Sequence, residues 1–265
     1  MNGYYINLKF REDRNNHFIN NIKKYDFFKN IERFEAIYDS DFGEIGCTKS
    51  HINALELCLE MDDDYFLIIE DDFCIINEEN LLNFFRNFNK IKNKEWDIIT
   101  LTPSGNTDYE DYIEDFLRIK NTKTTTGYII RKSVIPVLLN NFTESLNLLI
   151  LTEETEKYVV DKYWFNIQDR IKFYYYKDIF ASQLIGYSDI KNNDTNIDYM
   201  FINQNNYSYN NSNSNNINKY LYKYINEPYN DMNNFNLAYE YDNINQTAAA
   251  LSYYLRCAEF TKNKD

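Results

Sequence analysis

The chain has 265 residues, enough for one large domain or a domain with an appended subdomain. Hydrophobic residues make up 44% and aromatics 17%, with 25 Tyr and 19 Phe, so the chain is a folded protein and not a generally disordered one. A formal net charge of −13 disfavours non-specific nucleic-acid binding, which needs clustered Lys and Arg, and means that any bound diphosphate needs a metal or a few placed basic residues.

The cysteines, Cys47, Cys58, Cys74 and Cys257, form no CxxC pair and have no ladder of His partners, which argues against zinc. No charged n-region, apolar h-region or cleavage site opens the sequence, and no stretch reads as the roughly 18 apolar residues of a membrane span. These features predict a soluble, cytoplasmic protein with reduced thiols.

Residues 3–8 read as a short buried strand, and residues 17–30 as a helix with Phe18, Ile22, Tyr25 and Phe28 near one face. A strand at 34–38 and a helix at 48–61 follow, with Thr48 or Ser50 as its cap and Ile52, Leu55 and Leu59 on one stripe. Tyr65-Phe66-Leu67-Ile68-Ile69 is apolar without alternation, the pattern of a central strand covered on both faces. A helix at 80–92 and strands at 96–102, 127–130 and 173–176 complete the alternation. The sum is an α/β fold, a three-layer sandwich around a mostly parallel sheet. Residues 203–218 turn to Asn, Ser and Tyr, a loop or insert. Residues 219–265 read as an appendage packed on the same domain, with helix formers at 245–260.

Glu70-Asp71-Asp72 follows the most apolar strand directly. Ligands of open α/β sheets bind outside the carboxyl ends of strands. Adjacent carboxylates repel unless a cation or a raised pKa relieves them, and oxygen-only ligands suit Mg²⁺ or Mn²⁺. Read alone, the run is equally well a solvated turn, as Asp62-Asp63-Asp64 is.

The neighbouring residues point further. Tyr4-Tyr5-Ile6-Asn7-Leu8 with Asp13-Arg14, then Glu44-Ile45-Gly46-Cys47-Thr48-Lys49-Ser50-His51, then Leu67-Ile68-Ile69-Glu70-Asp71-Asp72 together resemble glycosyltransferase family 25. Trp96-Asp97-Ile98-Ile99, Thr126-Gly127-Tyr128-Ile129-Ile130, Val160-Asp161-Lys162-Tyr163-Trp164 and Ser188-Asp189-Ile190 continue the order. The resemblance spans residues 3 to 190. It implies a GT-A type, Rossmann-like fold over residues 1–200, a UDP-sugar donor, a divalent metal (Mn²⁺ or Mg²⁺) and inversion at the anomeric carbon. The transferred hexose is galactose or glucose, and the acceptor a glycan or hydroxylysine. The Asn-rich composition is similar to that of giant-virus proteins.

The resemblance also assigns roles. Asp71 and Asp72 hold the metal, Asp72 foremost, with Glu70 placing the ribose or a metal-bound water. Asn7 and Arg14 flank the first strand at a nucleotide-binding position, although Arg14 is equally a surface ion pair with Glu12 or Asp13. Ser50 and His51 open the helix at 48–61 and bind donor or acceptor, or else serve as cap and core. Thr126 sits near the sugar pocket. Asp161 is the acceptor's general base, with Glu153, Glu154 and Asp189 behind it, or merely a carboxylate at a helix N-terminus. Tyr163 and Trp164 stack on the acceptor or pack in the core. Two other classes fit less: a sugar-binding scaffold that lost catalysis, and a metal-dependent phosphoryl hydrolase, which would require a nucleophile or second metal cluster that the sequence does not offer.

Overall fold

The structure is a computed structural model, described over residues 1–104, 112–184, 186–190, 193–195, 235, 236, 238, 239 and 254. The insert at 203–218 and, apart from residues 235, 236, 238, 239 and 254, the appendage at 219–265 lie outside the described residues. The chain forms two compact units, residues 1–195 with 199–203, and residues 196–198 with 204–265. In the second unit the rings of Phe235 and Tyr254 meet edge to face, 5.8 Å apart.

In the first unit the chain runs β1 (Gly3–Asn7), α1 (Glu12–His17), β2 (Ile31–Glu35), α2 (Gly43–Leu59), β3 (Tyr65–Glu70), β4 (Phe73–Ile75) and α3 (Glu78–Ile91). Strands β5 (Ile98–Thr100), β6 (Tyr112–Ile113), β7 (Phe116–Arg118) and β8 (Gly127–Arg131) follow. Next come helices α4 (Ile135–Thr152), α5 (Thr155–Tyr158), α6 (Val160–Tyr163) and α7 (Phe165–Gln168). Strands β9 (Phe173–Tyr176), β10 (Ala181–Gln183), β11 (Gly186–Ser188) and β12 (Asn193–Thr195) end the unit.

Among the described residues the main sheet has eight strands in the order β2-β1-β3-β8-β5-β9-β7-β6. The pairs β1–β2, β1–β3 and β5–β9 are parallel, whereas β8 is antiparallel to both neighbours, and β7 to β9 and β6. Six of the eight strands therefore share one direction, with β7 and β8 reversed. The expected Rossmann-like, mostly parallel sheet is present.

Side-chain alternation divides the core into two layers. Phe66 and Ile68 of β3 point to the face covered by Ala54, Leu55 and Cys58 of α2, Leu138 and Phe142 of α4, and Trp164. Leu67 and Ile69 point to the other, covered by Phe18, Ile22 and Phe28 and by Leu81, Phe84 and Phe88 of α3. Both faces of β3 are dry, which explains its unbroken apolar run. The second layer is an aromatic lattice around Phe84, whose ring lies within 6 Å of Phe27, Phe85, Phe88, Phe116, Tyr176 and Phe180. Gly3 makes the β1–β3 approach possible: with φ +149°, a Cβ there would lie 1.9 Å from the Leu67 carbonyl oxygen.

Several expectations are corrected. The helix expected at 17–30 is α1, then a π-turn at Phe18–Ile22, closed by Lys23 N–H donating to the Phe18 carbonyl at 3.0 Å, then a 3₁₀ turn at Asp26–Phe28. The π-turn buries Phe18 and Ile22 together, and apolar spacing alone does not distinguish it from a regular helix. The strand expected at 34–38 is β2, at Ile31–Glu35.

Helix α2 starts at Gly43, not near Thr48, because Asp39 Oδ1 accepts the N–H groups of Asp41 and Phe42 and turns the chain into the helix. Helix α4 has no counterpart among the expected elements. Its segment Lys132–Thr152, 21 residues, is long and apolar enough by length and composition to cross a membrane, which revises the expectation that no stretch reaches that length. Ile135, Leu138, Phe142 and Leu149 of this helix are buried.

Candidate active site

Strand β3 delivers Glu70, Asp71 and Asp72 to its carboxyl end, and alternation sends their side chains into different surroundings. Glu70 Oε1 meets His51 Nε2 at 3.1 Å and accepts from Thr125 Oγ1 at 2.7 Å. The Glu70 N–H donates to the Thr126 carbonyl at 2.8 Å, tying the strand end to the start of β8. The loop before β8 is strained: Thr124 is a β-branched residue at φ 73°, held by its Oγ1 donating to the Thr102 carbonyl at 2.5 Å. That loop fixes Thr125, the Glu70 partner.

Asp71 accepts from Asn7 Nδ2 at 2.6 Å and from Arg14 Nη1 at 2.8 Å. Asp72 lies 3.4 Å from the same Arg14 nitrogen and accepts from Gln183 Nε2 at 2.7 Å. Its backbone carbonyl accepts the Leu184 N–H at 2.6 Å, next to the β10–β4 pair. Both aspartates are buried, and Asp72 Oδ1 and Asn7 Oδ1 have no hydrogen-bond partner among the described residues. A buried carboxylate oxygen left without a donor is costly unless something else satisfies it.

The surroundings separate the proton affinities of the three acids. Burial pushes Glu70 up, but its contacts with His51 and Thr125 and the charge of Arg14 outweigh burial and hold it below its ordinary value. Burial raises Asp71, although Arg14 and Asn7 oppose the shift. Burial and then the Glu70 charge push Asp72 up to about 8, against Arg14. The site is a hard, oxygen-rich donor set with more negative charge than Arg14 neutralises. It fits a small divalent cation, with the orphaned Asp72 oxygen the first donor available.

The other expected residues divide. Asn7 is fully buried and binds Asp71, with a second contact from its Nδ2 to the Arg11 carbonyl at 3.2 Å. Arg14 is turned inward, its guanidinium against Asp71 and Asp72. Asp189 is ion-paired with Arg11, which also holds Asp13 at 2.8 Å. Thr126 is buried and contributes its backbone carbonyl to Glu70.

Ser50 and His51 do not open a helix and have no helix-terminal N–H groups to offer, because α2 begins at Gly43. Ser50 Oγ donates to the Gly46 carbonyl at 2.7 Å and accepts the Ile37 N–H at 2.8 Å, which clamps the β2–α2 loop onto the helix. His51 is wholly buried between Glu70 and the Tyr128 hydroxyl, 3.2 Å from its Nδ1. Trp164 is in the core, its Nε1–H donating to the Thr122 carbonyl at 2.8 Å, so it does not stack on an acceptor. Tyr163 is half-buried beside Tyr158, their ring centroids 6.1 Å apart.

Asp161 lies on α6, near enough to Cys47 that its charge, with those of Glu70 and Asp72, adds to the burial that raises the Cys47 thiol well above its usual value. Glu153 and Glu154 lie exposed at the far end of α4 and bind no residue of this cluster. Sequence reasoning missed Thr125, Tyr128, Gln183 and Cys47. Thr125 and Gln183 carry no local signature, since only the tertiary fold brings them to the end of β3.

The other acidic triplet is at the opposite end of the same strand. Asp62, Asp63 and Asp64 are exposed and line an open pocket of about 450 Å³ with Met1, Asn2, Asn30 and Tyr65.

Residues 41–152 match the model of Glycosyltransferase family 25 (LPS biosynthesis protein). The matched segment takes in α2, β3, the three carboxylates, β8 and α4. No curated protein matches the chain. Among solved structures the chain is similar to a glycosyltransferase involved in the glycosylation of the major capsid of PBCV-1, at 10% identity, covering 72% of this chain and 95% of that one with a TM-score of 0.46. It is also similar to A197 from STIV, at 14% identity, 69% and 85% coverage and a TM-score of 0.36. A third is UDP-glucose pyrophosphorylase complexed with UDP-glucose, at 12% identity, 68% and 73% coverage and a TM-score of 0.36.

Proposed function

We propose that this chain, a glycosyltransferase of the family 25 type by its segment 41–152, transfers galactose or glucose from a UDP-sugar to a hydroxyl of a glycan or hydroxylysine with inversion. The observation that carries the reading is Asp72: a buried carboxylate at the end of a central strand, with one oxygen lacking any partner among the described residues. Asp72, with Asp71 beside it, would hold Mn²⁺ or Mg²⁺. When bound there it would supply positive charge to stabilise the leaving diphosphate.

The chain's own groups do the rest. Arg14 adds positive charge beside the carboxylates, and Asn7 fixes Asp71. Glu70, held by His51 and Thr125, orients the ribose or a water. Thr126 and Gly127 border the sugar, and Asp189 with Arg11 borders the nucleotide. Asp161 takes the acceptor's hydroxyl proton. The acceptor oxygen then bonds to the anomeric carbon as that carbon's bond to the UDP β-phosphate oxygen breaks, the electron pair leaving with UDP. A reducing, cytoplasmic setting belongs to the same reading.

The test is a screen of UDP-sugars for Mn²⁺-dependent UDP release with wild type and Asp161→Asn. Release with one hexose, and in Asp161→Asn a transfer rate lower by about 10²- to 10⁴-fold with donor hydrolysis retained, is the expected result. No release with any donor would favour the scaffold reading. Phosphate release without an acceptor would favour the hydrolase.

One observation favours a second mechanism. Arg14 already stands 2.8 Å from Asp71 and 3.4 Å from Asp72, where its guanidinium is placed to neutralise a leaving phosphate without a metal. Transfer that survives EDTA but is lost in Arg14→Leu would establish it.

A further inference from the structure

Beside the oxygen-only carboxylates lies a second donor set of different chemistry. Cys47 and His51 are four residues apart on α2, so they share one helix face. That face turns toward the end of β3, where Glu70 enters. The Cys47 thiol sulfur, a ring nitrogen of His51 and a Glu70 carboxylate oxygen all lie within 4.8 Å of one another. Ligands of a tetrahedral zinc ion, at bonds of about 2.0–2.3 Å, stand about 3.5 Å apart, so small side-chain rotations suffice to close the set.

The surroundings support an ion. Tyr128 holds His51 Nδ1 at 3.2 Å, leaving Nε2 on the Glu70 side, the second partner that a ligating imidazole ordinarily has. Thr125 likewise holds the Glu70 carboxylate. Helix α2 is rigid here, pinned by Ser50 to the Ile37 N–H and packed by Ala54 and Leu55 into the core.

We infer that Cys47, His51 and Glu70 form a binding site for a borderline-soft divalent cation, zinc by preference, distinct from the site proposed at Asp71 and Asp72. A sulfur, a nitrogen and one carboxylate oxygen select zinc over magnesium or calcium, and three protein ligands leave a fourth position to solvent. Binding replaces the S–H bond by a sulfur–metal bond and releases one proton to solvent. The expectation from sequence that zinc is absent looked for paired cysteines. The one-turn spacing of Cys47 and His51 is the signal it passed over.

The experiment uses the full reduced chain and Co²⁺ as a spectroscopic probe, with Zn²⁺ as competitor and no donor sugar. One equivalent of Co²⁺ is expected to give a thiolate-to-cobalt charge-transfer band that Zn²⁺ abolishes, with one proton released per ion. Cys47→Ser, a near-isosteric change, should remove the band while far-UV circular dichroism is unchanged. His51→Ala should weaken binding by about 10- to 100-fold or more. Asp72→Asn and Cys74→Ser should keep the band, so loss of the Asp72 assignment leaves this test standing. A band that persists in Cys47→Ser, or Co²⁺ binding without charge transfer, would overturn the inference.

Discussion

The two acidic triplets, at opposite ends of β3, contain nearly the same residues and have nothing else in common. Asp62, Asp63 and Asp64 precede the strand in an exposed turn, where Asp63 accepts one surface hydrogen bond from Asn2 at 2.8 Å. Glu70 ends it half-buried and Asp71 and Asp72 follow, buried, with side chains from β1, α1, α2, the loop before β8 and β10 converging on the three. Five residues of β3, Tyr65 to Ile69, separate a solvated acid run from a desolvated one. An acidic run therefore becomes a site through what the fold closes around it, and strand direction decides which end is closed.

The contrast is broken most directly by neutralising one acid at each end. Asp72→Asn is expected to lower metal-dependent UDP release by on the order of 10³-fold, the scale of losing a charge-stabilising group. Asp63→Asn should stay within about twofold of wild type. The Asp72 variant should also be more stable than wild type at pH 8 in EDTA, since it removes a buried like charge while Gln183 keeps an oxygen to donate to. An active Asp72→Asn would sink the metal assignment.

Arg14→Leu removes the cation shared by Asp71 and Asp72. It should destabilise the metal-free protein by about 3 kcal/mol at pH 8, read by urea denaturation, and added Mn²⁺ should recover part of the loss. At the other end Asn2→Ala should cost less than about 0.5 kcal/mol.

The pH dependence follows from the raised aspartates. A group whose folded pKa lies above its unfolded value stabilises the fold fully below the unfolded value and ceases to do so as pH rises through the folded one. For Asp72 that window runs from the ordinary 3.8 to about 8, and Asp71 acts in the same direction. In EDTA the Tm should fall across this range. With Mn²⁺ present the fall should be smaller, because bound metal favours the ionised acids. A Tm that is flat in EDTA would show that the carboxylates are better solvated than their burial implies.

The smallest effect concerns the exposed triplet itself. Changing Asp62, Asp63 and Asp64 to Asn together should move stability by no more than about 0.5 kcal/mol per site.

Much of this was legible in the sequence. The unbroken apolar run of β3 announced a strand covered on both faces, with Glu70 to Asp72 at its carboxyl end. Asn7 and Arg14 reach Asp71 because β1 pairs in parallel with β3. Other parts were hidden for physical reasons. The start of α2 is set by an aspartate turn at Asp39, while helix formers and apolar spacing become clear only later, so Ser50 and His51 looked terminal. Trp164 looked available for stacking because a sequence does not reveal which aromatics the core will absorb. Gln183 is 111 residues from Asp72, a separation across which no local pattern carries information.

That separation also bears on the order in which the protein comes into being. The β10–β4 pair ties Asp72 to Gln183 and Leu184, so the carboxylate shell is completed by one of the last strands of the first unit. During synthesis β1 and β3 can associate while residues 181–184 have yet to be made, and until then a bare acidic strand end faces the cell. Assembly of the sheet and completion of its acidic end are thus separate events, the second waiting on the first.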